Sequence, residues 1–153
     1  MTSPEDRLGE LGHIVPSVVP PVAAYTPAVR SGSLVFTAGQ VPMRDGTLVA
    51  EGKVGDAVSV EQATECAQQC ALNALAAVKS VIGDLANVRR IVKVVVYVAS
   101  TPDFTGQPGV ANGASELLGA VFGDDGVHAR SAVGVAALPI DAPVEVELVV
   151  EVG

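Results

Sequence analysis

Arg130 opens the stretch Arg130-Ser-Ala-Val-Gly-Val-Ala-Ala-Leu138, and no other charge occurs before Asp141. A guanidinium is a planar fork that can grip a carboxylate through two parallel charge-assisted hydrogen bonds. If the stretch is a strand, Arg130, Ala132, Gly134 and Ala136 share one face, and Ser131, Val133 and Val135 share the other. The arginine's own face then carries almost no side chain, which leaves open volume in front of the fork. The alternative is an arginine at a strand start that snorkels to water or pairs with a structural carboxylate.

A carboxylate that could activate water is the natural companion to such an anchor. Along Val144–Val152 the apolar residues Val144, Val146, Leu148, Val150 and Val152 alternate with Glu145, Glu147 and Glu151. Glu147 and Glu151 read as acids facing water. Glu145 lies nearest the turn containing Pro139 and Pro143. If the last two strands form a hairpin, it approaches the groove in front of Arg130. His128, two residues before Arg130, could face the same pocket, but the commoner reading is a histidine in a surface loop.

Other chemistries find no template. Gly106, Gly109 and Gly113 lie in or beside a helix rather than bridging a strand and a helix, so they make no phosphate loop. There is no Gly-x-Ser-x-Gly elbow, and His13 and His128 offer no metal pair. Cys66 and Cys70, on one helical face without further ligands nearby, read as small buried thiols. No metal or organic cofactor is expected.

The elements that must position Arg130 and Glu145 follow from periodicity. In 153 residues, 49% are hydrophobic and 3% aromatic, so the core must be Val, Ala and Leu in regular layers. Residues 1–24 read as an N-terminal extension, broken by Pro16, Pro20 and Pro21. Leu8, Leu11 and Ile14 could form a short amphipathic turn there. Residues 25–153 read as a single domain. Ser33–Gln40 reads as a strand, Asp45-Gly46 as a turn and Leu48–Ala50 as its partner strand. Ser59 and Gln62 make a capping box that opens a helix closed by Gly83.

Val88–Ser100 is a strong strand with Val92, Val94, Val96 and Val98 on one face and Ile91, Val95 and Tyr97 on the other. Both faces are therefore covered, and one helix layer cannot easily cover both. The second face is expected to meet another subunit. A second helix is predicted from Val110 to Phe122, followed by strands Arg130–Ala137 and Val144–Val152. The layout is β-β-α-β-α-β-β, an α+β fold with helices on one face of a mixed sheet.

The formal charge of −8, with nine scattered Lys and Arg residues, argues against nucleic-acid and anionic-membrane partners. The run Ile91–Ala99 is too short to span a bilayer, and the polar start does not resemble a signal peptide, so a cytoplasmic location is expected.

Three motifs in order resemble the YjgF family, the Rid (reactive intermediate deaminase) proteins also described as endoribonuclease L-PSP. They are Tyr25-Thr-Pro-Ala-Val-Arg-Ser-Gly-Ser-Leu-Val-Phe-Thr-Ala-Gly-Gln-Val-Pro42, Ala129-Arg-Ser-Ala-Val-Gly-Val-Ala-Ala-Leu-Pro139 and Val144-Glu-Val-Glu147. The likeness runs from about Tyr25 to the C-terminus. Asn112-Gly-Ala-Ser-Glu-Leu-Leu118 and the extension resemble one bacterial subgroup.

The resemblance implies a chorismate-mutase-like fold assembled as a homotrimer, with clefts between subunits. It implies that Arg130 binds the carboxylate of a 2-imino or 2-enamino acid, and that water, positioned by Glu145, releases a 2-keto acid and ammonia. Tyr25 and Gly39 match cleft positions. Asn112 is the natural counterpart of the family's cleft asparagine, with Ser115 as the alternative. Ala38 and Ala132 stand where many deaminases have Ser and Cys. Those losses leave open a trimer that binds a small carboxylate-bearing metabolite without turnover. Ribonuclease activity fits an acidic, aromatic-poor chain least well.

Overall fold

The structure, a computed structural model, describes residues 2–21 and 23–153. Two long helices pack on one face of a five-stranded sheet, and a short N-terminal helix packs against the second of them. Helix α1 is Pro4–Glu10, α2 is Val60–Ile82 and α3 is Gln107–Phe122. Strands β1 (Ala28–Ser31), β2 (Leu34–Thr37), β5 (Val88–Ala99), β6 (Ala129–Val135) and β7 (Val144–Val152) form the sheet; β3 (Met43–Arg44) and β4 (Thr47–Leu48) form a separate ribbon. The order across the sheet is β1-β2-β7-β5-β6, with β5 and β6 parallel and the other pairs antiparallel. This is the expected mixed α+β arrangement with helices on one face.

Helix α2 begins as its sequence requires. The Ser59 hydroxyl accepts from the Gln62 amide and the Gln62 side chain accepts from the Ser59 amide, closing the capping box. Its buried stripe of Ala63, Cys66, Ala67, Cys70, Ala71, Ala74, Leu75 and Val78 is mostly small, which lets the helix lie close to the sheet. Helix α3 starts at Gln107, a turn earlier than its apolar periodicity suggests. At Gly113 a Cβ would collide with the backbone oxygen of Thr64, so glycine there permits close approach of α3 to α2.

Two hairpins replace the single one expected. The pair β1–β2 turns at Gly32-Ser33, with Gly32 at φ +61°, a glycine in the first central position. Asp45-Gly46 does form a turn, both residues having positive φ (53° and 83°), but it joins β3 to β4 rather than 33–40 to 48–50. Strand β2 pairs instead with β1 and β7. The ribbon is anchored to α2, because Asn73 Nδ2 donates to the carbonyls of Val41 and Met43 at 3.0 and 2.9 Å.

The alternation in β5 also differs from expectation. Register shifts between Val88/Arg90 and Ile91/Lys93 mark a bulge against β7. An extra residue flips the faces. Ile91 therefore joins Val94, Val96 and Val98 in the core, while Val92 points to the other side.

Helix α1 is capped by Ser3 with Asp6 and buries Leu8 completely; Arg7 Nη1 donates to the Val121 carbonyl at 3.1 Å. Leu11 and Ile14 do not extend that apolar face, being 47% and 83% exposed. The tight turn after the helix, with Gly12 at φ +84°, breaks the periodicity that would have aligned them.

Candidate functional site

Arg130 lies at the start of β6, an edge strand, opposite Val94 of β5. Val94 belongs to the helix-side core, so Arg130 points to that side. There its guanidinium meets α3: Nη1 donates to Asn112 Oδ1 at 2.8 Å and to Ser115 Oγ at 3.2 Å, and Nη2 to the Pro108 carbonyl at 3.4 Å. Asn112 and Ser115, offered by the sequence as alternatives, thus both contact the arginine. One protein interaction consumes each proton of Nη1. Nε and one of the two Nη2 protons carry no protein acceptor among the described residues. Donors left over in this way can take a carboxylate through charge-assisted hydrogen bonds.

The open hollow expected in front of this strand is partly filled. Ala132 packs against the core, and a Cβ at Gly134 would lie 2.8 Å from Gln107 Nε2 and 3.1 Å from Ser100 Oγ. The N-terminal turn of α3, which the periodicity did not include, supplies Gln107. A cavity of about 310 Å³ lies elsewhere, between α2 and α3, and one of about 260 Å³ remains beside Gly134, lined by Ser100, Phe104 and Gln107 among others.

Glu145 is elsewhere. On β7 it pairs with Tyr97 of β5, on the face away from the helices, whereas Val144 and Val146 enter the core. Strands β6 and β7 do not form a hairpin, because α3 carries the chain across in parallel and β5 stands between them. Glu145 and Arg130 are therefore on opposite faces, two strand spacings apart, or about 10 Å laterally. The Glu145 carboxylate packs against Gly39, where a Cβ would occupy the carboxylate's place. Burial raises its pKa, and the nearby Glu147 adds to the effect.

Tyr25 is 49% exposed. The Ala38 amide donates to the Pro27 carbonyl at 2.8 Å, which ties the segment after Tyr25 to the residues before Gly39. Glu147, read as a water-facing acid, accepts the Tyr97 hydroxyl at 2.6 Å, and this holds the phenol's pKa up at about 12.

Two half-sites result, Arg130 with Asn112 and Ser115 on one face, Glu145 with Gly39 on the other. His128, expected in a surface loop, joins the first half. Its Nε2 lies 2.9 Å from Ser115 Oγ and its Nδ1 2.6 Å from the Gly126 carbonyl. The signal for it was the spacing His128-x-Arg130, two residues apart at the entry to β6. Among the described residues no group of three or more His, Cys, Asp and Glu side chains is gathered to hold a metal ion. No described helix is long and apolar enough to cross a membrane.

The endoribonuclease L-PSP family profile matches residues 16–152. The chain belongs to that family, the YjgF/Rid proteins. The family chain is 42% identical to protein TCP17 of Trypanosoma cruzi over 95% of its own length and 91% of the relative's. It is 32% identical to the RutC family protein y4sK of Sinorhizobium fredii, covering 84% of this chain and 87% of that one. The crystal structure of Atu1372 from Agrobacterium tumefaciens, a protein of unknown function, superposes with a TM-score of 0.92 at 44% identity, covering 98% of this chain and 93% of that one. Membership in the YjgF/Rid family accounts for the fold.

Proposed function

We propose that this protein is a cofactor-free deaminase of small 2-imino or 2-enamino acids, acting in clefts where two copies of the chain meet. The observation that carries this reading is the pair of half-sites on opposite faces of one sheet. Arg130 offers an Nε and an Nη2 proton without protein partners, on a guanidinium held by Asn112, Ser115 and the Pro108 carbonyl. Glu145 offers a desolvated carboxylate whose raised pKa makes it a better proton acceptor when ionised. Neither half reaches the other within one chain, so a working site takes one half from each of two copies.

Assembly as a homotrimer is supported by the sheet face away from the helices. Val29, Phe36 and Val133 are 53%, 44% and 43% exposed there, an apolar surface suited to burial against other copies. The two free, buried thiols fit a reducing compartment, in keeping with a cytoplasmic location.

In the reaction, Arg130 binds the substrate carboxylate and fixes the adjacent imine carbon. With the imine entering as its iminium, Glu145 of a second copy accepts a proton from water as the water oxygen bonds to that carbon and the C=N π pair moves to nitrogen, giving a carbinolamine. Glu145 then returns that proton to the amino nitrogen and takes the hydroxyl proton as the carbon–nitrogen bond breaks, so a 2-keto acid forms and the departing ammonia carries off the extra proton as ammonium. Imines of this kind also hydrolyse unaided, so positioning is the main contribution required.

A second reading, carboxylate binding without turnover, is favoured by Ala132, which contributes packing rather than a polar group on the Arg130 face. The ribonuclease reading implied by the family description has little electrostatic support in a chain of net charge −8. The deciding experiment couples the purified protein to an amino-acid oxidase that generates imino acids. Faster keto-acid release than the uncatalysed rate supports the deaminase. An unchanged rate, with a 2-keto acid protecting the protein against heat, transfers the case to the binding reading.

A further inference from the structure

His128 plays no part in the reaction as written, yet its contacts are specific. The Gly126 carbonyl can only accept, so Nδ1, 2.6 Å away, carries a proton. In the neutral ring Nε2 is then an acceptor, and the Ser115 hydroxyl, 2.9 Å away, donates to it. The same Ser115 oxygen accepts from Arg130 Nη1 at 3.2 Å. The chain of bonds runs from Arg130 to Ser115 to His128 to the Gly126 carbonyl. With the ring neutral, the serine proton is committed to imidazole and cannot serve a ligand.

Protonation of the ring reverses one link. Both nitrogens of an imidazolium donate, so Ser115 Oγ would accept from Nε2 and from Arg130 together, filling both lone pairs. Its own proton is then released to point elsewhere. We propose that Ser115 and His128 complete the anion site at Arg130, and that binding of a small carboxylate there is coupled to uptake of one proton by His128. The Ser115 hydroxyl turns from the ring to donate to the bound carboxylate. This rests on the carboxylate reading of Arg130 and adds to it a proton and a second donor.

The charges around the ring permit such coupling. Arg130 of β6 reaches the ring through Ser115, Asp124 and Asp125 lie in the turn before Val127, and Glu116 of α3 lines the cavity towards α2. Arg90 of β5 donates to the Val127 carbonyl at 3.2 Å, and Lys93 stands opposite Ala129. None forms an ion pair with the ring; the two ion pairs among the described residues are Arg44–Glu65 and Lys79–Glu5. A carboxylate arriving at Arg130 therefore brings a negative charge to a ring that lacks a partner of its own. Added negative charge favours the imidazolium. By linkage, the protonated ring favours the carboxylate to the same extent.

The test is titration calorimetry of the full-length protein with pyruvate from pH 8 to 5.5, in pairs of buffers that differ in ionisation enthalpy. Affinity is expected to tighten about tenfold over that range, the effect of one additional charge-assisted contact. Proton uptake is expected to peak at about half a proton per site within that range, the most that a tenfold coupling allows. His128→Gln should abolish both the uptake and the pH dependence, leaving the weaker affinity seen at pH 8. Ser115→Ala, which leaves the histidine's own loop intact, should reduce both without abolishing them, since it removes the hydroxyl link and leaves the charge effect on the ring; an unreduced uptake in that variant overturns the role of Ser115. Pyruvate binding that is independent of pH and takes up no proton overturns this inference alone. No pyruvate binding at any pH overturns it together with the Arg130 reading. A histidine that merely ties residues 123–128 to α3 would change thermal stability on mutation and leave proton uptake untouched.

Discussion

Arg130 and Glu145 face opposite sides of the same sheet, with β5 lying between the strands that carry them. Their separation follows from topology. Helix α3 forces β6 to run parallel to β5 at the edge, while β7 returns on the other side of β5. A site using both residues must therefore be shared between copies, and each half can be perturbed separately.

Arg130→Ala should weaken 2-keto-acid binding by roughly 30-fold or more, because truncating one partner of a charge-assisted pair costs about 2–5 kcal/mol. Lysine should restore little, since it lacks the Nε and Nη2 donors of the guanidinium. Calorimetry with pyruvate measures both.

Glu145→Gln should abolish deamination yet raise thermal stability at neutral pH. The folded-state pKa is raised by burial and by Glu147, so ionisation of Glu145 disfavours the native state. The native state's advantage from a protonated Glu145 is complete below the ordinary carboxyl value of 4.5 and is lost as pH rises through the raised folded value. Glutamine stays neutral, so the difference in Tm should be largest above that range and fade towards pH 4. Thermal denaturation at several pH values checks the sign.

Gly39→Ala and Gly113→Ala should behave differently although each adds one methyl group. At Gly39 the group in the way is the Glu145 carboxylate, the end of a side chain that can swing aside. Activity should fall while stability changes little. At Gly113 the obstacle is the Thr64 backbone oxygen, which cannot move without separating α2 from α3. Overpacking there should cost about 1–3 kcal/mol. Paired activity assays and melting curves separate the two.

The thiols should be inert in the native protein. Burial pushes Cys66 up to about 11, and fully buried Cys70 is raised well above the ordinary thiol value. A thiol reagent at pH 8 should label neither within minutes, and both once denaturant is added.

Local signals in the sequence carried most of the fold. Ser59 with Gln62 announced α2, Asp45-Gly46 announced a turn, and the valine run announced β5. The features that escaped depend on distant partners. The bulge at 91–93 exists only against β7, and it reversed the faces assigned to Ile91 and Val92. Strand β1 is short, with Val29, Arg30 and Ser31 all exposed, so it had no alternation to reveal it. The site was legible as residue types but not as an arrangement. Arg130, Asn112 and Ser115 do meet, whereas the approach of Glu145 to Arg130 assumed a final hairpin that β5 prevents. His128 was passed over because its partners, Ser115 and the Gly126 carbonyl, become neighbours only after α3 has packed.

Subunit mixing tests the shared site most directly. Arg130→Ala and Glu145→Gln chains, each inactive alone, are unfolded together, refolded as an equal mixture and assayed for imino-acid hydrolysis. A site built from Arg130 of one copy and Glu145 of another is intact in about one quarter of random pairings, so roughly a quarter of wild-type activity should return. A mixture that stays as inactive as its components, beside an active wild type refolded in the same way, would contradict a site shared between chains.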